Sequence, residues 1–502
     1  MDICVFVRTS DDKKFQQIVN FIVEAPTYCG ARVSFFRCPE EQSFSSFFKM
    51  GIKNETKAAC KIFIDENVAD LNCPNFVDQG LLWLYLFPEV GILGARGVTF
   101  ESTGNIPMVL DDRTINLREA ICLEPALIIV RGNISFDWDS CGDDWMYRFC
   151  EGIRASGFLA AVPQQPIPWA VIHEGNEQTW NYSYDTSYPG RDFSKRFYFV
   201  FSHGIGDVVW SCSFMKDFLK QTEIMKDFEP VICCMKRDVN LIRSYFPRVR
   251  LTVMDKAVLH FCGLVSARLK VPQIFSCTYP RLKPAGELFA EVGQYAALGI
   301  EMDILYKYGC FNLSGGNAFT APNMTRYDGE AERFMHGNHI PFGKSIVLIP
   351  AANSRIPLDD SGWYRLASIL KEIGFAVYTN VGNINEKCIE GTEPLAAPLE
   401  LMPSLVRKMG CAVSTRCGLA DWLFVNQCAL FIIHVFSNVK KDQYSMMQSD
   451  FARKESFKIM EYRCGISCDT LHEYRLEQED TSEEEIMKIA ADITEYLVDK
   501  LR

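Results

Sequence analysis

Apolar and polar positions along this chain follow two alternating periods. Short β-rich apolar runs lead repeatedly into stretches whose apolar side chains recur three and four residues apart, which is the pattern of strands feeding amphipathic helices. In the first block, strands are expected at 3–7, 31–36, 59–64, 90–95, 122–130 and 158–163, and helices at 14–23, 44–50, 76–87 and 144–155. A second block carries strands at 196–201, 230–235 and 250–254 and helices at 208–220, 239–245 and 258–269. In the third, strands at 345–350, 376–381, 412–415 and 430–435 alternate with helices at 363–373, 399–409 and 419–425. The charged stretch 482–501 keeps helical spacing through Ile486, Ile489, Ile493, Tyr496 and Leu497, so it is expected to pack back on the body. Strand–helix alternation of this kind builds parallel sheets with helices on their faces. The polar, aromatic stretch 181–195 reads as a linker. The chain therefore divides into three α/β domains, 1–190, 191–340 and 341–502, with no solenoid repeat and no low-complexity tract.

Composition narrows the class without naming the chemistry. A chain of 502 residues exceeds one ordinary core. Hydrophobic content of 48% with 23% charged residues describes an ordinary soluble protein. A net charge of −11 argues against a broad nucleic-acid face, while leaving room for a local basic pocket for a phosphate. No signal-peptide pattern follows the Met-Asp start, so a cytoplasmic location is expected. The apolar run Leu81 to Phe87 is too short to span a bilayer, and peripheral membrane association stays open. The 20 cysteines include no Cys-x-x-Cys pair, as expected of free thiols in a reducing compartment.

Candidate chemistry sits in small-residue turns between strands and helices. In His203-Gly-Ile-Gly-Asp207, Gly204 and Gly206 let backbone approach a phosphate or sugar, and Asp207 stands at a helix start. There the helix dipole keeps a carboxylate ionised, suited to take a proton from an attacking hydroxyl, with His203 beside it. A plain helix cap is the alternative for Asp207. Asn353, Ser354 and Arg355 follow the strand 345–350 and suit a diphosphate, and Asn380 and Gly382 at the next strand end join this set. Arg416, Gly418 and Asp421 form a third anion-friendly turn, unless Arg416 and Asp421 pair with each other. In the first block, Asp65-Glu66-Asn67 ends a buried strand and is either a solvated acidic strand end or a place where a divalent cation bridges a diphosphate, and His173 is either a structural histidine or the residue that closes such a site. Asp144, before Trp145, is either a base or a helix cap.

At these residues the chain resembles glycosyltransferases twice. Gly206-Asp207-Val208-Val209, Pro350-Ala-Ala with Trp363, and Ser414 through Asp421 are similar to heptosyltransferase-like enzymes, which have two facing Rossmann-like domains, the GT-B fold. That resemblance implies a catalytic base at Asp207 and a phosphate position near Ser354 and Arg355. The family's late Asp-x-Gly-x-x-His motif falls on Arg416, Gly418 and Asp421, so both polar positions are changed. An arginine there implies direct contact with a donor phosphate. The first block resembles family 2-like, GT-A type domains through Lys61 to Val68, Gly91-Ile-Leu-Gly94, Asp144 to Phe158, and Val162 to Trp169 with His173.

Together the resemblances imply a GT-A-like Rossmann-type domain followed by a GT-B module. The implied activity is inverting transfer from a nucleotide-sugar donor to a glycan, protein or small-molecule hydroxyl. No cofactor is required at the GT-B site, and a divalent cation, Mn or Mg, is expected at the N-terminal domain. Two rivals remain: a catalytically degenerate sugar- or protein-binding scaffold, and a bifunctional enzyme with two transferase sites.

Overall fold

The computed structural model describes residues 2–25, 31–39, 41–53, 57–99, 109–110, 117–135, 145–163, 168–172, 195–269, 273–277, 301–313, 319–352, 355–382, 386–438, 449, 453, 455–478 and 481–502. It is a mixed α/β chain that divides into two compact units. The first holds residues 1–200, 227–233 and 254–276, and the second holds 201–226, 234–253 and 277–502.

The first unit is built on a mixed nine-stranded sheet. Its strands are β1 (Asp2–Arg8), β2 (Arg32–Cys38), β3 (Cys60–Ile64), β5 (Val90–Gly94), β6 (Gly97–Thr99), β7 (Val109–Leu110), β8 (Leu117–Leu123), β9 (Leu127–Arg131) and β10 (Leu159–Pro163). The order is β2-β1-β3-β9-β5-β10-β8-β6-β7. Parallel pairs β1–β2, β1–β3 and β5–β10 are interrupted by β9, which runs antiparallel to both β3 and β5. The apolar run expected as one strand at 122–130 is two strands. Glu124 and Ala126 close a turn between them, the Ala126 N–H donating to the Glu124 carbonyl. A two-stranded ladder pairs β4 (Val68–Leu71) with β11 (Ala170–Ile172).

The sheet buries one face against α2 (Phe44–Lys53) and α4 (Trp145–Ala155). Phe6, Phe47, Phe48, Phe63 and Phe149 interlock there, with Phe48 and Phe63 ring centres 4.4 Å apart. The other described helices up to residue 155 are α1 (Asp12–Glu24), capped by Asp11, and α3 (Phe76–Leu86). Later in the chain, β12 (Arg196–Val200) lies between β13 (Glu229–Cys234) and β15 (Ile274–Ser276), all parallel. Of the 181–195 linker, only Lys195 falls within the described residues.

The second unit contains α5 (Ile205–Gln221), α6 (Ile224–Asp227, whose last residue belongs to the first unit), α7 (Val239–Tyr245) and the strand β14 (Arg250–Val253). Helix α8 (Lys256–Leu269) returns to the first unit. The second unit then continues through a π-helical turn, Leu305–Cys310, and α9 (Asp328–Gly337).

Its main sheet is wholly parallel, formed by β16 (Ser345–Ile349), β17 (Ala376–Asn380), β18 (Glu393–Leu395), β19 (Gly410–Thr415), β20 (Leu430–Phe436) and β21 (Leu471–Glu477), in the order β18-β17-β16-β19-β20-β21. Four of the strands expected from apolar runs are present. β21 escapes that reading because only Leu471 and Leu476 of its side chains are buried. Between strands run α10 (Asp360–Ile373), α11 (Met402–Met409), α12 (Gly418–Val425) and α13 (Phe457–Cys464), and the chain closes on α14 (Glu483–Leu501). Ile486, Ile489, Ile493 and Leu497 of α14 join the core with Trp363, Leu366 and Leu370 of α10.

Candidate active site

The turn after β12 enters α5 at Ile205, with Gly204 as its extended N-cap. The Gly204 N–H donates to Asp207 Oδ2 at 3.0 Å, the reciprocal half of a capping box. The other carboxylate oxygen accepts from the Tyr306 hydroxyl at 2.7 Å. Tyr306 lies in the π-helical turn and is fully buried, while Asp207 is half-buried and reachable. Both sequence readings of Asp207 therefore describe the same atom set: it caps the helix and it presents an oriented carboxylate. His203 stands half-buried in the same turn.

The two glycines have different environments. A Cβ on Gly204 would meet only Asp207 Oδ2, at 3.4 Å. A Cβ on Gly206 would lie 2.6 Å from Asp421 Oδ2 and 3.2 Å from Gly418 Cα. A Cβ on Gly418 would in turn lie 2.7 Å from the Gly206 nitrogen. Gly206 and Gly418 thus serve to bring the first turns of α5 and α12 together. Asp421 ties the junction, accepting from Trp210 Nε1 at 3.0 Å and from Arg416 Nη2 at 2.8 Å.

Arg416 and Asp421 do pair with each other, and the pair is part of a larger buried set. Arg416 is 3% exposed, with its guanidinium 3.9 Å from the centre of the Phe457 ring. Its Nη1 reaches Glu455 Oε2 at 3.4 Å, and Arg355 Nη2 reaches the same oxygen at 2.8 Å. Burial pushes the Asp421 carboxyl up despite its partners, whereas at Arg416 and Glu455 the partners win. Asp421 and Glu455 hold Arg416 protonated beyond its usual range, and Arg355 and Arg416 hold Glu455 below the usual carboxylate range. Next to this set, His434 Nε2 pairs with Glu473 at 2.9 Å, and Glu473 also accepts from the Ser456 hydroxyl at 2.7 Å.

The remaining candidates are scattered. Asn380 is buried and donates to Glu386 at 3.3 Å, with Gly382 exposed beyond it. In the first unit, Asp65 is 1% exposed and is gripped by Arg8 from Nε at 3.1 Å and Nη2 at 2.8 Å. Burial pushes the Asp65 carboxyl up and Arg8 opposes it. Asn67, half-buried, donates its backbone N–H to Asp65 at 3.3 Å. Asp144, His173, Asn353 and Ser354 lie outside the described residues. Among the described residues, no group of three His, Cys, Asp or Glu side chains is arranged to hold a metal ion, and no helix is long and apolar enough to cross a membrane. Among the described residues no two cysteines form a disulfide with each other, and most of the cysteines are buried. A pocket of about 380 Å³ lined by Lys216, Leu219, Lys220, Glu223, Lys226 and Phe246 contains none of the candidate residues.

Tyr306 and Glu455 are the site residues that sequence reasoning missed. Neither lies in a glycine turn or beside a run that predicts a strand, so no local signal marks them.

No family model matches the chain, and no curated protein does. Among solved structures, it is similar to a family 9 glycosyl transferase from Veillonella parvula, at 12% identity and a TM-score of 0.35, covering 61% of this chain and 97% of that one. It is also similar to the E. coli ADP-heptose LPS heptosyltransferase II, at 11% identity and a TM-score of 0.39, covering 61% of this chain and all of the other. Likeness at this level leaves the activity to be argued from the chain's own residues.

Proposed function

We propose that this chain is a glycosyltransferase that moves a sugar from a nucleotide-sugar donor to a hydroxyl acceptor, with Asp207 as the base. One observation carries this reading: a reachable carboxylate at a helix N-terminus, fixed by the Gly204 N–H on one oxygen and the Tyr306 hydroxyl on the other. Both donors fix the direction of the carboxylate, and its partial exposure leaves it open to an incoming hydroxyl. In the proposed step the acceptor hydroxyl gives its proton to Asp207 as its oxygen bonds to the anomeric carbon. The bond from that carbon to the donor diphosphate breaks, and the diphosphate leaves with the electron pair. Configuration inverts, and positioning supplies much of the rate.

A GT-A-like N-terminal domain remains part of the proposal. The grip of Arg8 on Asp65 supports a domain that has lost cation-dependent transfer. The second reading, a binding module without transfer, is favoured by the closed set Arg355–Glu455–Arg416–Asp421, in which the cations expected to face a donor face carboxylates instead. Incubating the purified chain with a panel of nucleotide sugars and hydroxyl acceptors separates the two. Transfer or donor hydrolysis that is lost in Asp207→Asn supports the enzyme. A folded chain that binds but turns over no donor supports the module.

A further inference from the structure

Two guanidinium groups from neighbouring parallel strand ends converge on a single oxygen. Arg355 follows β16 and Arg416 follows β19, and these strands are adjacent in the sheet. They meet at Glu455 Oε2, 2.8 Å and 3.4 Å away. Two cations closing on one oxygen is how a phosphoryl oxygen is commonly held. The other carboxylate oxygen, Oε1, is buried and has no hydrogen-bond partner among the described residues. A half-satisfied buried carboxylate is a costly arrangement in a set otherwise built of charge-assisted bonds.

The parts of this set are unequally anchored. Arg416 is fixed by Asp421 and stacked on Phe457. Ser456, next to Glu455, is pinned as the N-cap of α13, accepting from the Ile459 N–H and donating to Glu473. Of the carboxylates around Arg416, Asp421 is also held by Trp210, whereas Glu455 is held through one oxygen only, so Glu455 is the group that an incoming anion would displace.

We propose that Arg355 and Arg416 form the seat for the diphosphate of a nucleoside-diphosphate donor, and that Glu455 fills this seat as a resident anion which the donor must displace. The proposal rests on the nucleotide-sugar reading above. A diphosphate carries more negative charge than one carboxylate and offers oxygens to both guanidinium groups at once, so the exchange is favoured once Glu455 has turned out. The cost of turning it out sets a weak resting affinity and discriminates against ligands with a single anionic group.

The test titrates inorganic pyrophosphate into the full chain by calorimetry, at fixed ionic strength and without divalent cations. Glu455→Ala and Glu455→Gln are expected to bind at least tenfold tighter than the parent chain, and adding Arg355→Ala to either is expected to cancel the gain. Folded Glu455 variants that bind no tighter would overturn the proposal, as would a gain that survives Arg355→Ala. Should Glu455→Ala be too unstable for titration, thermal unfolding replaces it. A midpoint raised by pyrophosphate in the variant but not in the parent supports the seat, and an unmoved midpoint overturns it. Pyrophosphate carries no sugar and is not transferred, so this result is independent of Asp207. Transfer lost in Asp207→Asn with no tightening in the Glu455 variants sinks the resident anion alone. Tightening in a chain that transfers no sugar sinks the transferase reading alone.

Discussion

Tyr306 donates its hydroxyl to Asp207 across 2.7 Å, from a buried π-helical turn 99 residues further along the chain. A hydrogen bond to a charged group is worth about 1.5–3 kcal/mol. Its loss should misdirect the carboxylate without removing it. Tyr306→Phe is therefore expected to lower kcat by roughly tenfold or more with KM little changed, by the same energy scale. Asp207→Asn should cost about 10²–10⁴-fold, the usual range for a general base. Steady-state transfer assays on both variants check this. A Tyr306→Phe enzyme with wild-type kcat would show that the hydroxyl plays no part in the step.

The two glycines of the same turn should respond to different degrees. Gly206→Ala drives a methyl to 2.6 Å from Asp421 Oδ2, and that carboxylate cannot yield because Trp210 and Arg416 hold it. Overpacking of this kind costs about 1–3 kcal/mol. Gly204→Ala places its methyl at an ordinary 3.4 Å, with φ at −73°, so it meets no clash and should cost only the difference between glycine and alanine at an N-cap, about 0.5–1 kcal/mol. Chemical denaturation of the two variants measures the contrast. Equal midpoints would mean the α5–α12 junction is looser than the distances indicate.

Asp238 makes stability depend on pH. It is fully buried after β13, and neither carboxylate oxygen has a hydrogen-bond partner among the described residues. Arg237 Nε lies 3.5 Å away, too far to satisfy it. Burial pushes the carboxyl up from 3.8 to about 6 against the opposing charge of Arg237. The native state therefore holds a proton that the unfolded chain releases, so stability is highest below pH 3.8 as far as this group is concerned. That contribution is lost as pH rises to about 6 and stays lost above it. Asp238→Asn should remove this slope and stabilise the chain at pH 7 by about 1–3 kcal/mol, since raising a carboxyl by one pH unit on folding costs its ionised form about 1.4 kcal/mol. Urea midpoints at pH 5 and pH 7 for both chains decide it. A slope unchanged in Asp238→Asn would place the proton elsewhere.

Much of the architecture is legible in the sequence because burial on both faces leaves continuous apolar runs. β3, β16, β19 and β20 all announce themselves this way. β21 does not, since an edge strand needs little apolar surface, and its Glu473 serves His434 and Ser456 instead of the core. The turn 203–207 is legible through its glycines, but their purpose is not. Close approach to a phosphate and close approach to another helix demand the same missing Cβ, and only the contact with Gly418 distinguishes them. The partners that decide the site's electrostatics are the least legible of all. Tyr306, Glu455 and Arg8 act across long separations, and no local pattern records which carboxylate a guanidinium will meet.

The last helix shows how a charged surface stretch becomes structural. α14 begins with a capping box, in which Ser482 accepts from the Glu485 N–H and Glu485 returns to the Ser482 N–H. Its buried stripe, Ile486, Ile489, Ile493 and Leu497, lies in one core with α10, whereas Met487 is 52% exposed. Removing buried methylenes costs the transfer energy plus the cavity left behind, so Ile493→Ala should cost about 2–5 kcal/mol. Ser482→Ala should cost about 1 kcal/mol through the lost cap. Met487→Ala should fall within about 0.5 kcal/mol of the parent, as exposed changes usually do. Guanidinium denaturation monitored by far-UV circular dichroism ranks the three. If Ile493→Ala were no worse than Met487→Ala, α14 would be a surface attachment, and the core of the second unit would have to close without it.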